Sequence, residues 1–190
     1  MKLRYLLALL LLLLPACTDS GAMPMTMLSG GVSSAGCTGC NSSNDSAVWE
    51  NPNVRDDASS SASWRAIQFT TSETLCVTGI VMNVADSTDD TITCEVYTDS
   101  ANEPDAIVGA GFTGLLDEIP DGYADTECLF AATQTLSAGT YWMVAKPSDT
   151  IGWGKDLDGV GLSLYSTDSG SNWGASSYKL IFDLWGCTQP

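Results

Sequence analysis

From residue 47 to the C-terminus, Gly, Pro, Asp, Asn and Ser cut the chain so often that no long helix has room to form, and this punctuation constrains the fold more than any other feature. Between the breakers lie short β-like runs, clearest at 64–70, 75–84, 91–98, 126–132, 140–145, 161–165 and 178–184. In the third run Ile92, Cys94 and Val96 share one face while Thr93 and Glu95 share the other. Such alternation marks a strand with one buried side. No segment carries an apolar period of 3.6 residues with caps, and no internal repeat is present. The pattern predicts an all-β fold, an antiparallel two-sheet β-sandwich over 47–190, of a length that suits one domain.

The first 16 residues have a different logic. Met1-Lys2-Leu3-Arg4 precedes an apolar stretch from Leu6 to Leu14, and Pro15-Ala16-Cys17 follows it. A charged start, a short apolar segment and a small-residue cleavage site make an export signal. A membrane span needs roughly 20 apolar residues, about twice what is present. Leu14-Pro15-Ala16-Cys17 resembles a bacterial lipobox, which makes Cys17 the expected site of lipidation and the membrane the expected partner. Each buried CH₂ of the acyl chains contributes ~0.8 kcal/mol to that anchoring. Ordinary cleavage near Ala16, leaving a free cysteine, is the alternative. The Thr18-Asp19-Ser20 that follows lacks an aspartate directly after Cys17, which by analogy favours an outer-membrane or cell-surface lipoprotein; simple secretion is the alternative address. Residues 17–46 then read as a Ser/Gly-rich flexible tether with an r.m.s. span of ~30 Å.

Of the 7 cysteines, Cys17 belongs to the anchor, which leaves an even set: Cys37, Cys40, Cys76, Cys94, Cys128 and Cys187. An even number in an exported chain is the arithmetic of three disulfides. Cys94 and Cys128 lie on the inward faces of two runs and are the favoured pair; Cys187 is expected to tie the last strand to Cys37, Cys40 or Cys76. Zinc at Cys37-x-x-Cys40 is the competing reading, weakened because the chain contains no histidine.

Seven basic residues face 23 acidic ones, a net charge of −16. Nucleic acid and anionic lipid headgroups both attract clustered Lys and Arg, so neither is an expected partner. Absence of histidine excludes Ser-His-Asp and Cys-His catalysis. Nucleophile-elbow, phosphate-loop and dinucleotide motifs are missing from the sequence. A pair of carboxylates working as a glycan-active enzyme is the alternative left to a non-enzymatic reading.

Several landmarks recur in a fixed order: Ala66-Ile67-Gln68-Phe69-Thr70; Val96-Tyr97-Thr98-Asp99-Ser100 with Glu103-Pro104; Leu136-Ser137-Ala138-Gly139-Thr140-Tyr141-Trp142; Trp153; Tyr165 to Trp173; and Phe182-Asp183-Leu184-Trp185-Gly186. In this order they resemble the choice-of-anchor R family of bacterial surface proteins over residues 58–186. The resemblance implies a jelly-roll-like β-sandwich, similar to carbohydrate-binding modules and held at the surface by interchangeable anchors. It carries no active site over. The chain departs from that pattern in its additional cysteines, its acidic loops and the lack of Gly-Gly before Pro104.

Two kinds of site follow from the residues. Trp153, Tyr165 and Trp173 sit in or beside glycine- and serine-rich segments, where an open ring stacks on a sugar while Asp156, Asp158 and Asn172 take its hydroxyls. The alternative is that the tryptophans are core residues with bonded indole N–H groups. Tyr141 and Trp142, inside an apolar run, are expected core. Structural Ca²⁺ has two candidate clusters, Asp86, Asp89 and Asp90, then Asp99, Asn102 and Asp105 with Glu103; neither has EF-hand spacing, and solvated turn carboxylates are the alternative. The turn Asp156-x-Asp158-Gly159 offers similar oxygens. The expected function is a non-enzymatic, surface-displayed binding or adhesive module, with glycan as the first ligand class and a protein partner or a structural envelope role as the second.

Overall fold

The computed structural model describes Cys37 and residues 46–50, 57–86, 89–156, 161–177 and 179–188. The export signal at 1–16, Cys17, Cys40, Asp158 and all of the tether except Cys37 and Ser46 lie outside these residues.

Every regular element is a strand: β1 Ser46–Trp49, β2 Asp57–Ser61, β3 Trp64–Thr71, β4 Leu75–Ala85, β5 Ile92–Ser100, β6 Glu103–Ile107, β7 Thr113–Leu116, β8 Ala124–Leu136, β9 Gly139–Pro147, β10 Ile151–Asp156, β11 Ser163–Ser166, β12 Gly174–Ala175, β13 Lys179–Leu180 and β14 Phe182–Thr188. Among the described residues there is no helix, as the breakers predict. The strands form one curled antiparallel sheet in the order β1-β14-β4-β8-β7-β5-β9-β3-β11-β12; off this path β6 pairs β5, and β10 pairs β2, β4 and β13.

The curl lets strands far apart in that order share one core. Ile67 and Phe69 of β3, Cys94 and Val96 of β5 and Met143 of β9 pack with Ile80 and Met82 of β4, Trp153 of β10 and Leu184 of β14. Strand β4 contributes Leu75 and Val77 to this core and then Ile80, Met82 and Val84, a switch from odd to even positions. The switch falls at the register shift in the β4–β14 pairing, where Gly79 lies opposite Trp185 and Val77 opposite Gly186, so that β4 carries one residue more than its partner. One extra residue in a bulge turns the apolar face back toward the core.

Runs read as strands from alternation are all strands here. The missed ones have recognisable reasons. Strand β6 contains Pro104, tolerated because it pairs beside β5 off the main path. Strand β7 contains Gly114, where a Cβ would meet Leu129 O at 2.5 Å and Cys94 Sγ at 2.9 Å. Strand β10 contains Gly152 and Gly154, whose missing side chains leave space taken by Tyr123 and Asn83. Glycine in these strands signals close approach of a neighbour and not a loop.

Two disulfides are described. Cys94–Cys128 joins β5 to β8, the pair favoured from the sequence, and both residues are fully buried. Cys37 bonds Cys76 of β4, and the Thr135 hydroxyl of β8 lies 3.0 Å from Cys37 Sγ. Cys187, in register with Cys76, is disulfide-bonded as well. Disulfides of this kind fit an oxidising, extracellular environment.

Replacing both Cys94 and Cys128 by alanine is expected to lower stability by about 3–4 kcal/mol in urea denaturation, the chain-entropy value for a loop closed over 34 residues. A loss below about 1 kcal/mol would mean that the bridge adds little to a core already held by packing.

Candidate functional site

Strand β11 bridges β3 and β12, with Tyr165 opposite Arg65 on one side and Gly174 on the other. Successive residues of a strand point to opposite faces. Leu164 therefore faces one way, into a small second cluster with Ala66, Trp142 and Val144, against which Trp64, Tyr97, Leu162 and Trp173 pack. Tyr165 faces the other way and is 38% exposed. Tyr165 and Trp173, two of the three rings offered as sugar contacts, thus lie on opposite faces of β11.

Tyr165 lines an open depression of about 340 Å³ together with Ser63, Arg65, Ala175, Ser176 and Ser177. Gly174 leaves room for the ring, since a Cβ there would sit 3.1 Å from Tyr165 Cζ. The buried Arg65 guanidinium is 5.7 Å from the ring centroid, a cation over an aromatic face. Serine hydroxyls, one aromatic ring and one guanidinium therefore border a single concavity.

The turn from Ser166 to Trp173 is held by Asp168. Its Oδ1 accepts bonds from Ser166 Oγ at 2.8 Å and Asn172 N at 2.9 Å, and its Oδ2 accepts from Asn172 Nδ2. Ser166 Oγ in turn accepts from Gly170 N at 2.8 Å. Ser169 and Gly170 adopt positive φ of 59° and 84°, and a Cβ on Gly170 would come within 2.8 Å of Trp64. Only glycine meets both demands, left-handed backbone and contact with a ring. Asn172, expected to reach a sugar, spends its amide on this turn. Hydrogen bonds from the Asn172 side chain, from its backbone N–H and from Ser166 pull the Asp168 carboxyl down from 3.8 to about 2.

Trp153 requires a correction. It is fully buried, its Nε1 donates to Ser61 O at 3.1 Å, and its ring packs on Phe182 with centroids 6.2 Å apart. The core alternative is the one realised, because the glycines on either side belong to a paired strand. Asp156, 5% exposed and in register with Lys179, is too buried to serve at a rim.

The acidic clusters are also used locally. Asp86 Oδ2 accepts from Asp90 N at 3.2 Å, Asp90 Oδ1 accepts from Ser148 Oγ at 3.2 Å, and Asp89 is exposed. Asp99 Oδ1 accepts from Gln68 Nε2 and Trp142 Nε1, both at 2.8 Å. Asn102 sits at φ 64° in the β5–β6 turn, and Asp105 is exposed. Among the described residues no three Asp, Glu or Cys side chains converge to hold a metal, so the calcium expectation gains no support from where these residues lie.

One buried polar group escaped the sequence reading. Glu95 forms an ion pair with Lys146, whose Nζ lies 4.4 Å from the Trp64 ring centroid and 5.3 Å from that of Tyr97. Burial pushes the Lys146 ammonium down, but its bonds to Glu95 and Tyr97 outweigh burial and hold it above the usual lysine value. Burial, the largest effect on Tyr97, raises its phenol. Alternation puts Glu95 on the face opposite Cys94; nothing in the local sequence says that Trp64, about thirty positions upstream, helps to cover it.

No family model, curated protein or solved structure matches this chain.

Trp153→Ala is expected to cost about 3–5 kcal/mol as a large core deletion, and Tyr165→Ala less than about 1 kcal/mol as a surface change, both read from chemical denaturation. Asp168 titrates lower in the folded than in the unfolded chain, so it stabilises the fold above about pH 4 and loses that effect as pH falls toward 2. The Tm gap between the protein and Asp168→Ala should be full at neutral pH and close toward pH 2; a gap independent of pH would contradict this.

Proposed function

We propose that this is a non-enzymatic binding module displayed on a bacterial surface through a lipid on Cys17, and that its ligand is carbohydrate held at the Tyr165 depression. The observation that carries the reading is Tyr165 itself: among the described residues it is the exposed large aromatic side chain, and it borders a concavity rimmed by Ser63, Ser176 and Ser177. An open ring offers a flat apolar face to the C–H groups of a sugar, while serine hydroxyls and the Arg65 guanidinium match its oxygens. Concave sites of mixed apolar and polar lining are the usual place for small ligands.

The architecture we propose is the jelly-roll-like two-sheet sandwich of the choice-of-anchor R kind. Support comes from the single core shared by β3, β5 and β9 with β4, β10 and β14. The surface address rests on the leader sequence, on Cys17 and on the disulfides.

A glycan-array screen of the purified, oxidised protein, repeated with Tyr165→Ala, tests the ligand. Glycan signal that falls at least tenfold in the variant, with an unchanged melting temperature, is the expected result. A blank array, or signal indifferent to Tyr165, removes carbohydrate from this depression.

A further inference from the structure

Away from Tyr165, on the face formed by β14, β4, β8 and β7, the register sets an apolar row directly beside an acidic one. Trp185 pairs with Gly79, and Gly79 pairs with Leu129. The pairing Gly114↔Phe130 then brings Leu115 next to Leu129. Leu115 and Leu129 are 60% and 55% exposed, and Trp185 is half-buried. Leu129 leans over Gly79, its Cδ2 3.2 Å from where a Cβ would stand, so the stripe is continuous. Two residues along each strand lies the second row: Asp183 opposite Val81, Val81 opposite Glu127, and Asp117 beside Glu127 by the β7–β8 register carried one residue past β7. No lysine or arginine occurs on β14, β4, β8 or β7.

We infer that this face docks a cationic amphipathic helix from a protein partner. The apolar row crosses four strands, about 14 Å at ~4.8 Å per strand, which is the rise of about nine helical residues at ~1.5 Å each. A strand added at a sheet edge would run along the strands and miss the row. The acidic row runs parallel, about 7 Å away at two residues of strand rise, within the radius of a helix with side chains. Apolar positions at i, i+7 and i+10 would meet Trp185, Leu129 and Leu115, while lysines or arginines on one flank would meet Glu127 and Asp117. A second copy of this chain fits poorly, since its acidic row would oppose an identical one in a molecule of net charge −16. This inference stands independently of the glycan reading.

The test uses the purified, oxidised protein and a labelled helical peptide of about 14 residues, with leucines on one face and lysines along one flank. A matched peptide with glutamate for lysine is the control, and fluorescence anisotropy the readout. The expected result is binding of the lysine peptide and none of the control, weakened at least tenfold by the double variant Leu115→Ser, Leu129→Ser and again by Glu127→Lys. Tyr165→Ala should bind the peptide as the unaltered protein does. Equal binding by the double variant would reduce the effect to net charge and overturn the docking face, as would absence of binding. A dimer in sedimentation velocity that the same leucine substitutions abolish would overturn it too, assigning the face to a second copy.

Discussion

Strand β4 is the member on which the rest of the molecule depends. It pairs with β14 on one side and β8 on the other, and near its end with β10. One of its faces fills the core with Leu75, Val77, Ile80, Met82 and Val84, and on the other Leu129 of β8 leans over Gly79. Cys76 lies within it, so the bond to Cys37 fastens the start of the domain to a central strand and not to the peripheral β1. In a chain with no helix among its described residues, backbone polar groups are satisfied by strand pairing, and a central strand carries two ladders where an edge strand carries one.

Around that spine the aromatic residues divide into distinct trades. Trp153 fills the main core beside Phe182; Trp142, Trp64 and Trp173 cover the outer face of β3 and β9; Tyr165 stays open. Burying the second cluster also covers the Glu95–Lys146 pair, whose charges are set against aromatic faces. Buried ion pairs add little net stability against an apolar replacement, yet losing one partner leaves a costly unpaired charge. Here the pair joins β5 to β9 beneath Trp64, and removing either partner would leave the other charge covered and unpaired.

The glycines mark the places where the fold is tightest. Gly114 gives way to the Cys94 sulfur, Gly79 to Leu129 and the Cys128 carbonyl, Gly170 to Trp64. In a sequence these residues look like hinges. In the sheet they are positions where a neighbour already occupies the volume a side chain would need. The same inversion explains Trp153: flanked by Gly152 and Gly154, it has the local signature of an exposed loop ring and the environment of a core residue.

The sequence by itself determined the all-β character, the inward face of β5, the favoured partner of Cys94 and the burial of Trp142, because alternation and breaker spacing are local and survive without knowledge of the fold. Only tertiary structure decided that Tyr165 and Trp173 part to opposite faces, that Asn172 serves the Asp168 turn, that Asp99 holds Gln68 and Trp142, and that Leu115 meets Leu129 beside an acidic row. Each of these depends on register between strands far apart in the chain. A shift of one residue in that register would send every side chain to the other face, and no local pattern records which register the sheet adopts.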